Sequence, residues 1–159
     1  MADLEGSHSL EIEAPIERVY EIAADIERAP EWQGAMQEVE ILERDGEGRP
    51  SLVRTRIDSQ VAKHEMDLRF TYDEPSGLRW SREAGDLKSL DGSWTFEDLG
   101  EGRTRATYAL EIGVGRKLAM LVKTVRGPAR TRVEHLLAHR PVEGLKERAE
   151  AADRSGAAG

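Results

Sequence analysis

Four side chains pair a functional group with a place on an apolar strand face: His64, Tyr72, Arg82 and Tyr108. Period-two alternation puts His64 and Tyr72 in phase with Met66, Leu68 and Phe70, Arg82 with Leu78 and Trp80, and Tyr108 with Ala106 and Leu110. An imidazole or a phenol aimed at a bound ligand can give or take a proton. A guanidinium facing inward needs an anion, either a carboxylate partner or the acidic group of a ligand. Its long stem also lets it pass the sheet edge to water. His8, Thr55 and Ser59 share inward faces with Leu10, Val53 and Ile57 and are lesser polar candidates. Each has a plainer reading, since a histidine at a strand end is commonly solvated or satisfied and aromatic rings commonly fill cores.

Other chemistries are poorly provided for. The chain has no Cys, which excludes disulfides, zinc-thiolate sites and cysteine nucleophiles. His135 and His139 stand four apart on a helical pattern, but His-Leu-Leu-Ala-His lacks the glutamate of the zinc-protease motif and lies off the apolar stripe. A solvated face and no metal are expected there. No serine nucleophile elbow, phosphate loop or dinucleotide fingerprint occurs, so no cofactor is implied; Gly113-Val114-Gly115 reads as a strand-to-helix hinge. A net charge of −8 without a basic cluster argues against nucleic acid as a partner. No apolar run approaches the ~20 residues of a spanning helix, and the acidic start Met1–Gly6 lacks signal-peptide features. A cytoplasmic protein without an integral membrane segment is expected.

The candidates need a sheet to hold them. Alternation predicts strands at His8–Glu13, Met36–Arg44, Leu52–Val61, His64–Tyr72, Leu78–Arg82, Leu90–Phe96 and Arg103–Ile112, with turns at Asp45–Gly48, Pro75–Gly77 and Gly100–Gly102. Between the first two, Ile16, Val19, Tyr20, Ala23 and Ile26 form a helical stripe, with Pro15 at the first helical position and Pro30 ending the periodicity. Trp32 follows in a turn or short helix and is not placed by phase. After Gly115, Leu118, Leu121, Val122, Val125, Ala129, Val133, Leu136 and Leu137 mark a long amphipathic helix. Gly127-Pro128 predicts a kink in it, or a hinge. A chain of this length fits one domain that buries roughly 70% of its unfolded surface.

The order strand, amphipathic helix, Asp25, Pro30, Trp32 resembles the opening of the START-like proteins, the polyketide cyclase/dehydrase and lipid transport superfamily. Ala14, Pro15, Val19, Tyr20, Asp25, Pro30 and Trp32 stand at that family's recurrent positions. Leu90-x-Gly92-x-Trp94-x-Phe96, followed by Thr104–Tyr108, is a second family-like signature. The texture is nearest to the coenzyme Q-binding branch. The resemblance implies an α+β helix-grip (START/Bet v 1-like) fold, a curved antiparallel sheet of about seven strands wrapped around a long C-terminal helix. It covers roughly His8 to Ala149, so 1–149 is expected to be one domain; 150–159, Ala, Gly and charge with no apolar stripe, reads as a disordered tail.

It also implies an internal apolar cavity holding a hydrophobic small molecule, such as a lipid, quinone or polyketide-like ring. Trp32, Met66, Phe70, Tyr72, Trp80, Trp94, Phe96, Tyr108, Leu121 and Val125 are its expected lining. The alternative is a polyketide cyclase, aromatase or dehydrase using His64, Tyr72, Arg82 or Tyr108 for proton transfer. Cyclases of the family resemble one another in an inward arginine and a tyrosine, whose places fall here to Phe70, beside Leu68, and to Met36. Arg69 is one residue out of phase and faces the other side. A third reading, a protein-interaction module, would use outward charges such as Arg54 and Arg56. A monomer or a homodimer is compatible with all three.

Overall fold

The computed structural model describes residues 4–33, 36–58, 63–85, 87–113 and 138–151, with the backbone alone for His64. β1 (Leu4–Ile12) forms one edge of a seven-stranded antiparallel sheet. α1 (Ile16–Ala24) and a 3₁₀ helix (Ile26–Glu31) carry the chain to the opposite edge. There β2 (Met36–Arg44) starts a meander through β3 (Pro50–Asp58), β4 (Lys63–Asp73), β5 (Gly77–Gly85), β6 (Ser89–Gly100) and β7 (Arg103–Gly113). β7 then pairs with β1 from Leu4↔Ile112 to Ile12↔Thr104, giving the order β1-β7-β6-β5-β4-β3-β2. A second helix, α2, covers 138–151. This is the α+β helix-grip arrangement that the alternating strands and terminal helix imply. Residues 114–137, which include Leu121, Val125, Gly127-Pro128 and His135, lie outside the described residues, as do Ser59 and Val61.

Local chemistry explains where the elements begin and end. Pro15 is the cap of α1 rather than its first helical residue: its backbone is extended (φ −67°, ψ 153°) while its carbonyl accepts from the Arg18 and Val19 amides, both at 3.1 Å. The stripe Ile16, Val19, Tyr20, Ala23 is buried as its spacing requires. Pro30 lies within the 3₁₀ helix instead of stopping it; the Ala29 carbonyl takes the Trp32 and Gln33 amides at 3.1 and 2.8 Å. In the β2–β3 turn the Asp45 carboxylate accepts from the Glu47 and Arg49 amides at 2.9 and 3.0 Å.

One sheet face is apolar and one is charged, the division expected when a helix covers a single face of an antiparallel sheet. Inward rows bring Val53, Met66, Leu68, Leu78, Leu90 and Ile112 into the core with Ile12, Val19, Val142 and Leu145. Among the described residues two polar side chains are buried there, both satisfied by main chain, Thr55 donating to the Met66 carbonyl (3.1 Å) and Thr104 to that of Ala14 (2.8 Å). α2 is fixed from three sides. Lys146 donates to the Glu11 carbonyl (3.1 Å), Arg148 pairs with Glu31 (2.7 Å), and the Glu13 amide donates to the Glu150 carboxylate (3.0 Å). Glu150 and Ala151 therefore extend the helix beyond the expected boundary at 149, because the Glu150 carboxylate caps a strand end as well as pairing with Lys146. Residues 152–159 lie outside the described residues.

Candidate functional site

Every Phe, Trp and Tyr ring of the chain joins one continuous series across the inward face. Tyr72 stacks on Phe70 (ring centroids 6.5 Å apart), Phe70 meets Trp80 at 5.7 Å, and Trp80 reaches Tyr108 at 5.6 Å. Tyr108 stands edge-on to Trp94 at 4.9 Å, and Trp94 stacks on Phe96 at 5.8 Å. From there Phe96 meets Tyr20 of α1, and Trp94 meets Trp32, at 6.5 and 6.2 Å. The strands β4 to β7 supply six of these rings through their inward alternate positions. Cross-strand pairing sets the sequence of contacts, with Phe70 opposite Trp80, Leu78 opposite Trp94, and Trp94 opposite Tyr108.

Two glycines make the series possible. Gly92 is the residue opposite Trp80, and the indole lies directly over it, so that a Cβ there would collide with the ring. The glycine is what lets the indole cross β6 to Tyr108. Gly144 gives α2 its close approach to Trp32, where a Cβ would strike the Trp32 carbonyl. Trp32, which phase left unplaced, is thus held between Trp94 and α2. Gly92 was visible as part of a motif, although its purpose was not. Gly144 carries no sequence signal without the tertiary contact.

The polar candidates fare differently. The Tyr72 hydroxyl donates to the Pro50 carbonyl, and the Arg49 guanidinium lies 4.7 Å from its ring centre. Burial raises the Tyr72 phenol well above its ordinary value, with the neighbouring Tyr20 adding to the effect. Burial alone does the same to Tyr108. Both phenols therefore keep their protons at neutral pH and can donate, not abstract. Burial and then the Glu74 carboxylate raise Tyr20 also, against the pull of Arg49. The Trp32 Nε1 is sealed from water without a hydrogen-bond partner among the described residues.

Arg82 lies on β5 one residue beyond the last β5–β6 pair, Ser81↔Asp91. It is half-buried opposite Leu68, and one Nη donates to the Gly85 carbonyl at 3.1 Å. Its Nε is sealed from water and has no partner among the described residues. His64 lies on β4 by its backbone, opposite Ile57. His139 is not on a solvated face: it is half-buried, stacks on His8 with ring centroids 3.3 Å apart, and lies 3.0 Å from a Glu143 carboxylate oxygen. No group of three His, Cys, Asp or Glu among the described residues is placed to hold a metal ion. No helix among them is long and apolar enough to cross a membrane.

Phe70, Leu68 and Met66 occupy the inward row of β4 and are buried, while Arg69 turns outward to Glu83 at 2.7 Å. The outward arginines expected to serve a protein partner are already engaged. Arg54 holds Asp67 through two bonds of 2.9 and 3.2 Å, and Arg56 lies between Glu38 (3.2 Å) and Glu65 (3.3 Å).

Residues 12–137 match the model of a family described as polyketide cyclase / dehydrase and lipid transport. The fold is similar to that of a START superfamily protein from Mycobacterium smegmatis, with 22% identity, a TM-score of 0.79, and 93% and 98% of the two chains covered. The protein TTHA0849 from Thermus thermophilus is 26% identical over 93% of this chain and 98% of its own, with a TM-score of 0.69. The Zhui aromatase/cyclase from Streptomyces sp. R1128 is 19% identical, with a TM-score of 0.70 and coverage of 93% and 96%. No curated protein matches the sequence.

Proposed function

Because the chain belongs to the polyketide cyclase / dehydrase and lipid transport family, we propose that it binds a hydrophobic small molecule against the aromatic inner face of its sheet. The observation that carries this reading is the unbroken ring series from Tyr72 through Trp94 to Tyr20 and Trp32. Flat rings gathered on one face offer large apolar area, worth about 25 cal/mol for each Å² removed from water. Phe70, Trp80, Trp94 and Tyr108 form the wall, and Met66, Phe96, Tyr72 and Trp32 its borders. Lipid, quinone and polyketide-like ligands all suit such a wall; the sequence texture of the coenzyme Q-binding branch keeps a quinone among the probes. A cytoplasmic setting is part of this reading.

Binding is preferred to ring closure because enolising a poly-ketone needs a base. Phe70 and Met36 stand where the family's cyclases resemble one another in arginine and tyrosine, and the inward phenols keep their protons. The test is native mass spectrometry and solvent extraction of freshly purified protein, followed by titration of the recovered compound against tryptophan fluorescence. A co-purifying apolar compound is expected. Trp80→Leu should weaken it about tenfold with the fold retained, as loss of one large ring contact implies. Unchanged affinity in that variant would place the ligand elsewhere.

A further inference from the structure

We infer that Arg82 receives an anionic end group, so that the ligand is an amphiphilic acid with its apolar body on the ring series. This rests on the binding reading above and adds the polarity of the ligand to it.

Strand pairing isolates this arginine. β5 and β6 are bonded from Gly77↔Thr95 to Ser81↔Asp91 and no further, so Arg82 and the residues after it are held by β4 alone. The sheet forks at that point. A register shift between Asp67 and Leu68 sits opposite, which leaves Arg82 across from the inward Leu68 while Glu83 turns outward to Arg69. Such a shift re-aims side chains. Arg82 therefore lies at the root of the fork, two residues along the same face from Trp80.

Charge pairing singles it out. Arg54, Arg56, Arg69 and Arg105 on the outward face all lie within 4 Å of a carboxylate. Arg82 meets none among the described residues. One Nη uses the Gly85 carbonyl, and the Nε proton, sealed from water, has nothing among them to donate to. A guanidinium placed this way is incomplete, and a planar two-oxygen anion fits its fork. Its inward neighbours Leu68, Leu78 and Trp80 are neutral, so the attraction would not be cancelled locally. The overall charge of −8 acts over longer range and is screened by salt.

The experiment compares decanoate with its methyl ester on the full-length protein, read by tryptophan fluorescence and native mass spectrometry above the carboxylate pKa. The ester keeps the chain and a carbonyl acceptor but loses the charge. Wild type should prefer decanoate by about tenfold or more, the scale of a charge-assisted hydrogen bond. Arg82→Gln should bring acid and ester within about threefold of each other without weakening the ester, and Arg82→Lys should restore part of the preference. Equal affinities in wild type overturn the inference without any variant, so it stays testable even if Arg82→Gln fails to fold. Equal weakening of both probes by Arg82→Gln overturns it as well. Absence of binding by either probe sinks the aromatic-face reading itself, which the acid-to-ester ratio alone does not.

Discussion

At the level of single residues, the aromatic series depends on one missing side chain. Trp80 can lie flat across β6 only because Gly92 has no Cβ beneath it. Gly92→Ala should force the indole off the strand and open the Trp80–Tyr108 contact, with a cost of about 1–3 kcal/mol, the usual range for overpacking a well-filled site. Urea unfolding monitored by circular dichroism gives the stability, and tryptophan emission reports the displaced ring. A stability change within a few tenths of a kcal/mol, with unaltered emission, would show that the ring has other places to go. Gly92→Ala should also weaken an apolar ligand bound on the wall.

At the level of elements, α2 shows how a helix end is positioned by groups that its own pattern does not announce. Val142, Leu145 and Ala149 supply the buried stripe, beyond Leu137, where the stripe expected from periodicity ended. The seat is another matter: it needs Gly144 against the Trp32 carbonyl and Arg148 on Glu31, contacts between segments more than a hundred positions apart. Gly144→Val should lift α2 from Trp32 and lower the melting temperature by several degrees, roughly what 1–2 kcal/mol means in a domain of this size. Arg148→Ala, which loses an exposed ion pair, should move it by about a degree or less. If the two variants melt alike, close backbone approach is not what fixes the helix. The same division marks what was legible in the sequence. Alternation placed the strands and the inward residues Phe70, Trp80, Trp94 and Tyr108, because a period of two is a local property. The extra strand residues at Leu4–Ser7, where β1 starts four residues before the expected His8 and stops at Ile12 rather than Glu13, and at Pro50–Ser51, Gly77, Glu83–Gly85 and Glu97–Gly100 were not legible, nor were the seat of Trp32 and the stacking of His139 on His8. They depend on which strands and helices become neighbours, and a one-dimensional phase does not carry that.

Across the whole molecule, charge is sorted by face, and this sets how stability should respond to pH at its two ends. Outward carboxylates such as Glu83 and Asp45 are held below their ordinary range. The bond from Arg69 does this for Glu83; at Asp45 partial desolvation pushes the other way, and the bonds from Arg49 and the Glu47 amide outweigh it. A carboxylate depressed by folding contributes stability above its unfolded value and loses it as pH falls through the folded one. Glu83 is exposed and Asp45 only half-buried in its turn, so the acid-side decline should start near pH ~4, be gradual, and grow shallower in high salt. The tyrosines work in the opposite sense. Burial raises Tyr72, Tyr108 and Tyr20 above the ordinary phenol value, so their contribution is complete below about pH 10 and is lost as pH rises beyond it. Since the Tyr108 phenol has to leave the core to ionise, the alkaline loss should be steep and should coincide with the rise in phenolate absorbance. Melting temperatures measured from acid to alkaline pH at two salt concentrations, alongside a spectrophotometric tyrosine titration, test both limbs together. Phenolate appearing near pH ~10 while the circular dichroism remains native would mean that the inward face is open to water, and with it the apolar wall on which ligand binding depends.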